Sequence, residues 1–190
     1  MILYKKINIE NLNLIQNEVL EYLSSNTRFL LDNGPSGFNG INTLELKLYS
    51  FHLKNFLEKY NLFNRWKNTG ISVIESNSSL QIHTDSILQN RIYALNIPIE
   101  NCENSYTVWY QKKNNLSPKF FYYNTNDGPI LYFNYEPENV NEIDRIESKY
   151  PVFVNVKEPH KGESFNQNKR ILISLRFTPE LTEKEILLFS

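Results

Sequence analysis

The sequence predicts a mainly β protein with helices at its N-terminal end, a double-sheet jelly roll resting on a helical buttress. Two patterns carry that expectation. Residues 1–69 contain two stretches with apolar residues at helical spacing, and residues 70–178 break into short runs rich in Ile, Val, Tyr, Phe and Leu. Turn formers separate those runs, as in an all-β sandwich or barrel. A chain of 190 residues, 41% hydrophobic and 22% charged, is long and apolar enough for one domain with its own core. Residues 179–190 are expected to form a C-terminal tail to that single domain.

The elements follow in order. In NIENLNLIQNEVLEYLSSN, residues Leu12, Ile15, Val19, Leu20 and Leu23 fall on one helical stripe. The stretch DNGPSGFNG (32–40) reads as turns. A second helix is predicted over SFHLKNFLEKYNLF, with Phe51, Leu53, Phe56, Leu57 and Tyr60 on its apolar face. After Gly70 the strand candidates are ISVIES, LQIHT, RIYALNIPI, YTVWYQK, PKFFYY, PILYFNY, PVFVNVK and RILISLRF. A helical interruption is expected at ENVNEIDRIESKY (138–150).

Composition narrows the function classes. Lys plus Arg is 20 and Asp plus Glu is 21, a net charge of −1, which argues against a general polyanion binder and counts against a nucleic-acid partner. The single cysteine, Cys102, excludes an intramolecular disulfide and a CxxC zinc site; it fits a reducing, cytoplasmic setting and reads as an inert thiol. MILYKKINIENLNL lacks the apolar core of a signal peptide, and no apolar run reaches the roughly 20 residues of a membrane helix, so no membrane partner is expected.

Only three histidines are present, and two of them stand in a suggestive order. His83 and Asp85 lie two apart at the end of a predicted strand, so both side chains point to one face. His160 follows in a turn-like Glu-Pro-His context just past a later strand, and Arg170 opens the last strand ten residues on. Two imidazoles and one carboxylate on one side of a metal make a facial triad, which suits Fe(II) and leaves positions open. An arginine on an otherwise apolar strand needs a buried anion, and a guanidinium pairs with a carboxylate bidentately. Taken alone, His83 and Asp85 also read as a polar rim pair, His160 as an exposed loop residue and Arg170 as an edge-strand charge pairing with Glu158 or Glu163. His52 reads as a helix-surface or helix–barrel contact.

In these residues the sequence resembles the Fe(II)/2-oxoglutarate-dependent oxygenases. His83-Thr84-Asp85, His160 and Arg170 carry the likeness, within QIHTDSILQNRIYALNIPIEN and VNVKEPHKGESFNQNKRILISLRF, over about residues 71–177. The segment RIYALNIPIENCENSYTVWY is more similar to small phage-type or aspartyl/asparaginyl-hydroxylase-like members than to the nucleic-acid demethylases. The resemblance implies a double-stranded β-helix, a cupin-like jelly roll. It implies iron held by His83, Asp85 and His160, with the C5 carboxylate of 2-oxoglutarate on Arg170. It also implies O2 consumption, release of succinate and CO2, and hydroxylation of a small molecule, an amino acid or a peptidyl side chain.

Arg170 and Arg176 share a strand face and form an R-x5-R pair, which also occurs in the demethylase branch; the spacing from His160 favours Arg170 for the cosubstrate. Arg91, Tyr93, Asn96, Thr107, Trp109 and Arg176 are further pocket candidates, and strand parity alone does not choose which faces turn inward. Three other functions fit parts of the pattern. They are a cupin-type metal enzyme without 2-oxoglutarate, a non-catalytic jelly-roll binding module, and a nucleobase oxidase supported only by the R-x5-R spacing.

Overall fold

The computed structural model describes residues 2–26, 38–85, 92–113, 118–125 and 128–189. In chain order, β1 (Tyr4–Lys6) precedes α1 (Leu12–Ser24), and β2 (Phe38–Ile41) precedes α2 (Thr43–Tyr49) and α3 (Phe51–Lys59). Then come β3 (Trp66–Ile74), β4 (Ser78–Ser79), β5 (Ile82–Thr84), β6 (Tyr93–Glu100), β7 (Ser105–Lys112), β8 (Lys119–Thr125) and β9 (Gly128–Tyr135). A 3-10 turn (Pro137–Asn139) leads into β10 (Val140–Glu147), β11 (Val152–Asn155), β12 (His160–Ser164), β13 (Arg170–Phe177) and α4 (Glu183–Ile186).

The strands form two antiparallel sheets. One is six-stranded in the order β1-β11-β6-β13-β3-β2; the other is seven-stranded and includes the run β10-β7-β12-β5-β9-β8. All of the segments expected as strands after Gly70 are strands. The fold is the mainly β, double-sheet arrangement with N-terminal helices that the sequence predicts. The N-terminal third also supplies β1 and β2 to the first sheet, so it is not purely helical. No helix among the described residues is long and apolar enough to cross a membrane.

Alternation along the strands builds two layers. Tyr93, Leu95, Ile97 and Ile99 of β6, with Ile171, Ile173, Leu175 and Phe177 of β13, face the helices. There they pack on Ile15, Val19 and Leu23 of α1 and on Leu53, Phe56 and Leu57 of α3. Phe51, expected on the apolar face, is instead 62% exposed at the first turn of α3. The opposite face of the same sheet looks toward the second sheet, where Ala94, Val152, Val154 and Val156 meet Trp109 and Ile146.

The reading of 138–150 is corrected, and one helix appears that the sequence pattern does not announce. The stretch 138–150 contains no α-helix; Val140–Glu147 is a strand paired with β7 from Val140–Lys112 to Glu147–Tyr106. Its Glu142–Arg145 ion pair, three residues apart, mimics helical spacing, but a register shift between Glu142 and Asp144 brings the two together on a bulged strand. Charges on an outer strand also guard against edge pairing. The helix α2 has no strong apolar stripe. It is set by its cap, since Asn42 accepts from the backbone N–H groups of Leu44 and Glu45, 3.1 and 3.3 Å away. Of the stretch expected as turns, 32–37 lies outside the described residues, and 38–40 is instead strand, part of β2 paired with β3.

Candidate metal and anion site

Strand parity brings the candidates together between the sheets. Along β13, Arg170, Leu172, Ser174 and Arg176 all turn away from the helices and line one cavity. Ser72 of β3, Asn96 of β6 and Val154 of β11 join them from the same sheet. The facing sheet contributes His83 of β5, Thr107 of β7, and His160 and Gly162 of β12, while Asp85 lies just past β5.

His160 follows β11 as expected and also opens β12, where it pairs in register with His83 on one side and Trp109 on the other. Their imidazole centroids are 4.6 Å apart. The backbone N–H of Asp85 donates to the Val156 carbonyl at 2.9 Å, which pins the end of β5 to the opposite sheet. One donor atom from each of His83, Asp85 and His160 lies within 4.8 Å of the others, and all three residues are buried. His83 Nε2 is 3.7 Å from Asp85 Oδ1.

The tautomers follow from the backbone. His83 Nδ1 is 2.8 Å from the Gln81 carbonyl, and His160 Nδ1 is 2.9 Å from the Glu158 carbonyl. A carbonyl only accepts, so each Nδ1 carries a proton and each Nε2 is the nitrogen that points to the cluster, the arrangement a metal ligand needs. Burial and the neighbouring His83 push the His160 pKa down to about 4, so this imidazole is neutral near pH 7. These carbonyl anchors have no signature in side-chain spacing.

The two arginines differ sharply. Arg176 Nη2 donates to Asp85 Oδ2 at 2.5 Å, and Nη1 donates to Ser174 Oγ at 2.8 Å; Ser174 Oγ in turn donates to Asn96 Oδ1 at 2.6 Å. Arg176 therefore holds the Asp85 carboxylate. Arg170 is 2% exposed, and its Nε and Nη1 have no hydrogen-bond partner among the described residues. Burial lowers its pKa to about 10, which leaves the guanidinium charged at neutral pH. A buried charge in that state calls for an anion.

Of the other pocket candidates, Asn96, Thr107 and Arg176 line the cavity. Tyr93 does not. Its parity turns it into the helix-facing core, where its hydroxyl donates to the Ile2 carbonyl at 3.3 Å. Trp109 stands beside His160 but packs in the apolar layer, stacked on Tyr4 and donating from Nε1 to the Asn155 carbonyl at 2.9 Å. Arg91 lies outside the described residues. His52 is an interhelical contact, with Nδ1 2.7 Å from Glu18 Oε1. Cys102 is buried, and desolvation raises its thiol pKa. Gly162, Ser72 and Ser174 were not singled out from sequence; Gly162 and Ser174 each follow a named residue at i+2 or i+4, a parity signal that could have found them.

No family model matches the chain, and no curated protein matches it. Solved structures of similar shape include a non-heme monooxygenase, ThoJ, in a nickel complex, at 9% identity over 91% of this chain and 72% of that one, with a TM-score of 0.48. Others are SnoK, a non-heme alpha-ketoglutarate-dependent carbocyclase from nogalamycin biosynthesis (10% identity, 99% and 87% coverage, TM-score 0.46), and SnoN, an epimerase from the same biosynthesis (11%, 91% and 77%, 0.46).

Proposed function

We propose that the chain is a non-haem Fe(II)- and 2-oxoglutarate-dependent dioxygenase that hydroxylates a small molecule, an amino acid or a peptidyl side chain. The observation that carries this is one cavity holding two different unmet needs. Two backbone-anchored imidazoles and a carboxylate converge there, and a buried guanidinium beside them has unpartnered N–H groups. The donor set fits a first-row divalent ion of the ferrous kind: two imidazole nitrogens and one carboxylate oxygen, with no thiolate or fourth ligand in the cluster among the described residues. Fe(II) held by His83, Asp85 and His160 would supply one-electron chemistry toward a 2-oxo acid and O2.

The protein's own groups do the rest. Gln81 and Glu158 carbonyls fix the imidazoles, and Arg176 fixes the carboxylate. Arg170 receives the distal carboxylate of 2-oxoglutarate and so orients the 2-oxo acid end toward the triad. Burial between the sheets excludes bulk water from that pair and strengthens it. Arg170 Nε and Nη1, which have no partner among the described residues, disfavour a metal enzyme without an anionic cosubstrate, because it gives them none.

The test is an anaerobic titration of metal-free protein with Fe(II) and then 2-oxoglutarate, following the weak visible charge-transfer band of a chelated 2-oxo acid. The expected result is a band that is absent in His83→Ala and that needs at least 100-fold more 2-oxoglutarate in Arg170→Ala, roughly the loss of a charged hydrogen-bonded pair. Iron binding without a band would overturn the 2-oxoglutarate assignment, and no iron binding would overturn the enzyme.

A further inference from the structure

We propose that Gly162 is the specificity-determining residue of the anion subsite, because its missing side chain reserves the space that sets how long a 2-oxo dicarboxylate the site accepts. This rests on the reading above that Arg170 holds the distal carboxylate. Gly162 follows the candidate metal ligand His160 by two positions on β12, so both face the cavity about 6.7 Å apart along the strand. It pairs in register with Thr107, which lines the same cavity.

The requirement at 162 is one of close approach. A Cβ built there would stand 2.7 Å from Ile74 Cδ1 and 2.9 Å from Arg170 Nη1, with Leu80 Cδ1 next at 3.6 Å. Contacts below 3 Å are too short for carbon, so a neighbour must move. Ile74 is the register partner of Arg170 on β3 and is 1% exposed, so packing holds it. The guanidinium is the far end of a flexible side chain and lines the same cavity as the triad, so it is the neighbour that gives way. Relief to an ordinary contact of about 3.4 Å moves Nη1 by roughly 0.5 Å, so a Cβ at 162 re-aims the guanidinium and alters the span between metal ligands and anion subsite by a fraction of one carbon. Gly162 therefore selects a five-carbon 2-oxo diacid over the four-carbon one, oxaloacetate.

The experiment is calorimetric titration of the Mn(II)-loaded protein, under anaerobic conditions, with 2-oxoglutarate and with oxaloacetate. Wild type is expected to prefer 2-oxoglutarate. In Gly162→Ala the preference ratio should fall by at least tenfold, because the guanidinium no longer sits where the five-carbon diacid meets it, while Mn(II) affinity stays within about twofold. Gly162→Ala combined with Ile74→Val, which deletes Cδ1 and leaves the Arg170 contact alone, should show the same shift, and it decides the matter if the single variant is misfolded by circular dichroism. An unchanged ratio in the folded variants overturns the role of Gly162 and leaves the oxygenase reading intact. Failure of wild type to take up either diacid in a metal-dependent way overturns that reading and this inference with it.

Discussion

Arg170 and Arg176 stand on the same face of β13, yet one is charged with no acceptor for Nε and Nη1 among the described residues and the other grips a carboxylate. Their substitutions should therefore move stability in opposite directions. Replacing a buried charge that lacks a partner with an apolar side chain removes a desolvation cost, so Arg170→Met should leave the metal-free protein as stable as wild type or more stable by about 1–4 kcal/mol, while abolishing 2-oxoglutarate binding. Urea unfolding paired with calorimetry reads both. Arg176→Met removes the charged partner that grips the buried Asp85 carboxylate and should cost about 3–5 kcal/mol, partly recovered on adding Mn(II), because a bound cation replaces the lost charge. Equal loss with and without metal would show that Arg176 matters only for packing. Spacing from His160 pointed to Arg170 as the cosubstrate residue. What separates the two arginines physically is Asp85, which reaches Arg176 from another sheet and cannot be read from β13 alone.

At the scale of elements, alternation was legible wherever a strand had one face on the helices and one on the cavity. It located the strand candidates after Gly70 and put His83 with Asp85. It misread Val140–Glu147, whose side chains are mostly exposed and charged, so that pairing with β7 rather than burial made it a strand. It also passed over α2, which rests on the Asn42 cap. Asn42→Ala should cost about 1 kcal/mol by thermal unfolding and leave metal affinity unchanged, since α2 lies outside the cavity lining. At the C-terminus, Thr182 and Glu185 form a capping box on α4, and Arg65 donates to Glu185 Oε1 at 2.6 Å. The Arg65 hydrogen bond and the cap hold the Glu185 pKa down to about 2, against 4.5 for the free group. A depressed carboxyl stabilises above the unfolded pKa, so this contribution is complete above about pH 4.5 and is lost as pH falls toward 2. With the side chain 39% exposed, solvent screening limits it to about 1 kcal/mol. Glu185→Gln should flatten the acid limb of the stability profile in that window.

For the whole molecule, two layers do different work. The helices cover the outer face of the first sheet with an apolar core, and the second sheet closes its inner face over the cavity. Leu57, fully buried on α3, belongs only to the outer layer. Leu57→Ala should destabilise by about 2–5 kcal/mol in urea and leave the Mn(II) affinity of the folded protein within a few-fold, because no triad residue touches that core. A proportional loss of both would show that the helical layer shapes the site directly.

The sequence by itself determined the mainly β architecture, the helical layer at its N-terminal end, and the order His83, Asp85, His160, Arg170, because these depend on local periodicity and residue chemistry. Only the tertiary structure decided which strand faces turn inward, that backbone carbonyls set both imidazole tautomers, which arginine grips Asp85, and that Gly162 stands against Arg170. Those are contacts between strands distant in the chain, and parity within a strand carries no information about what the facing sheet presents.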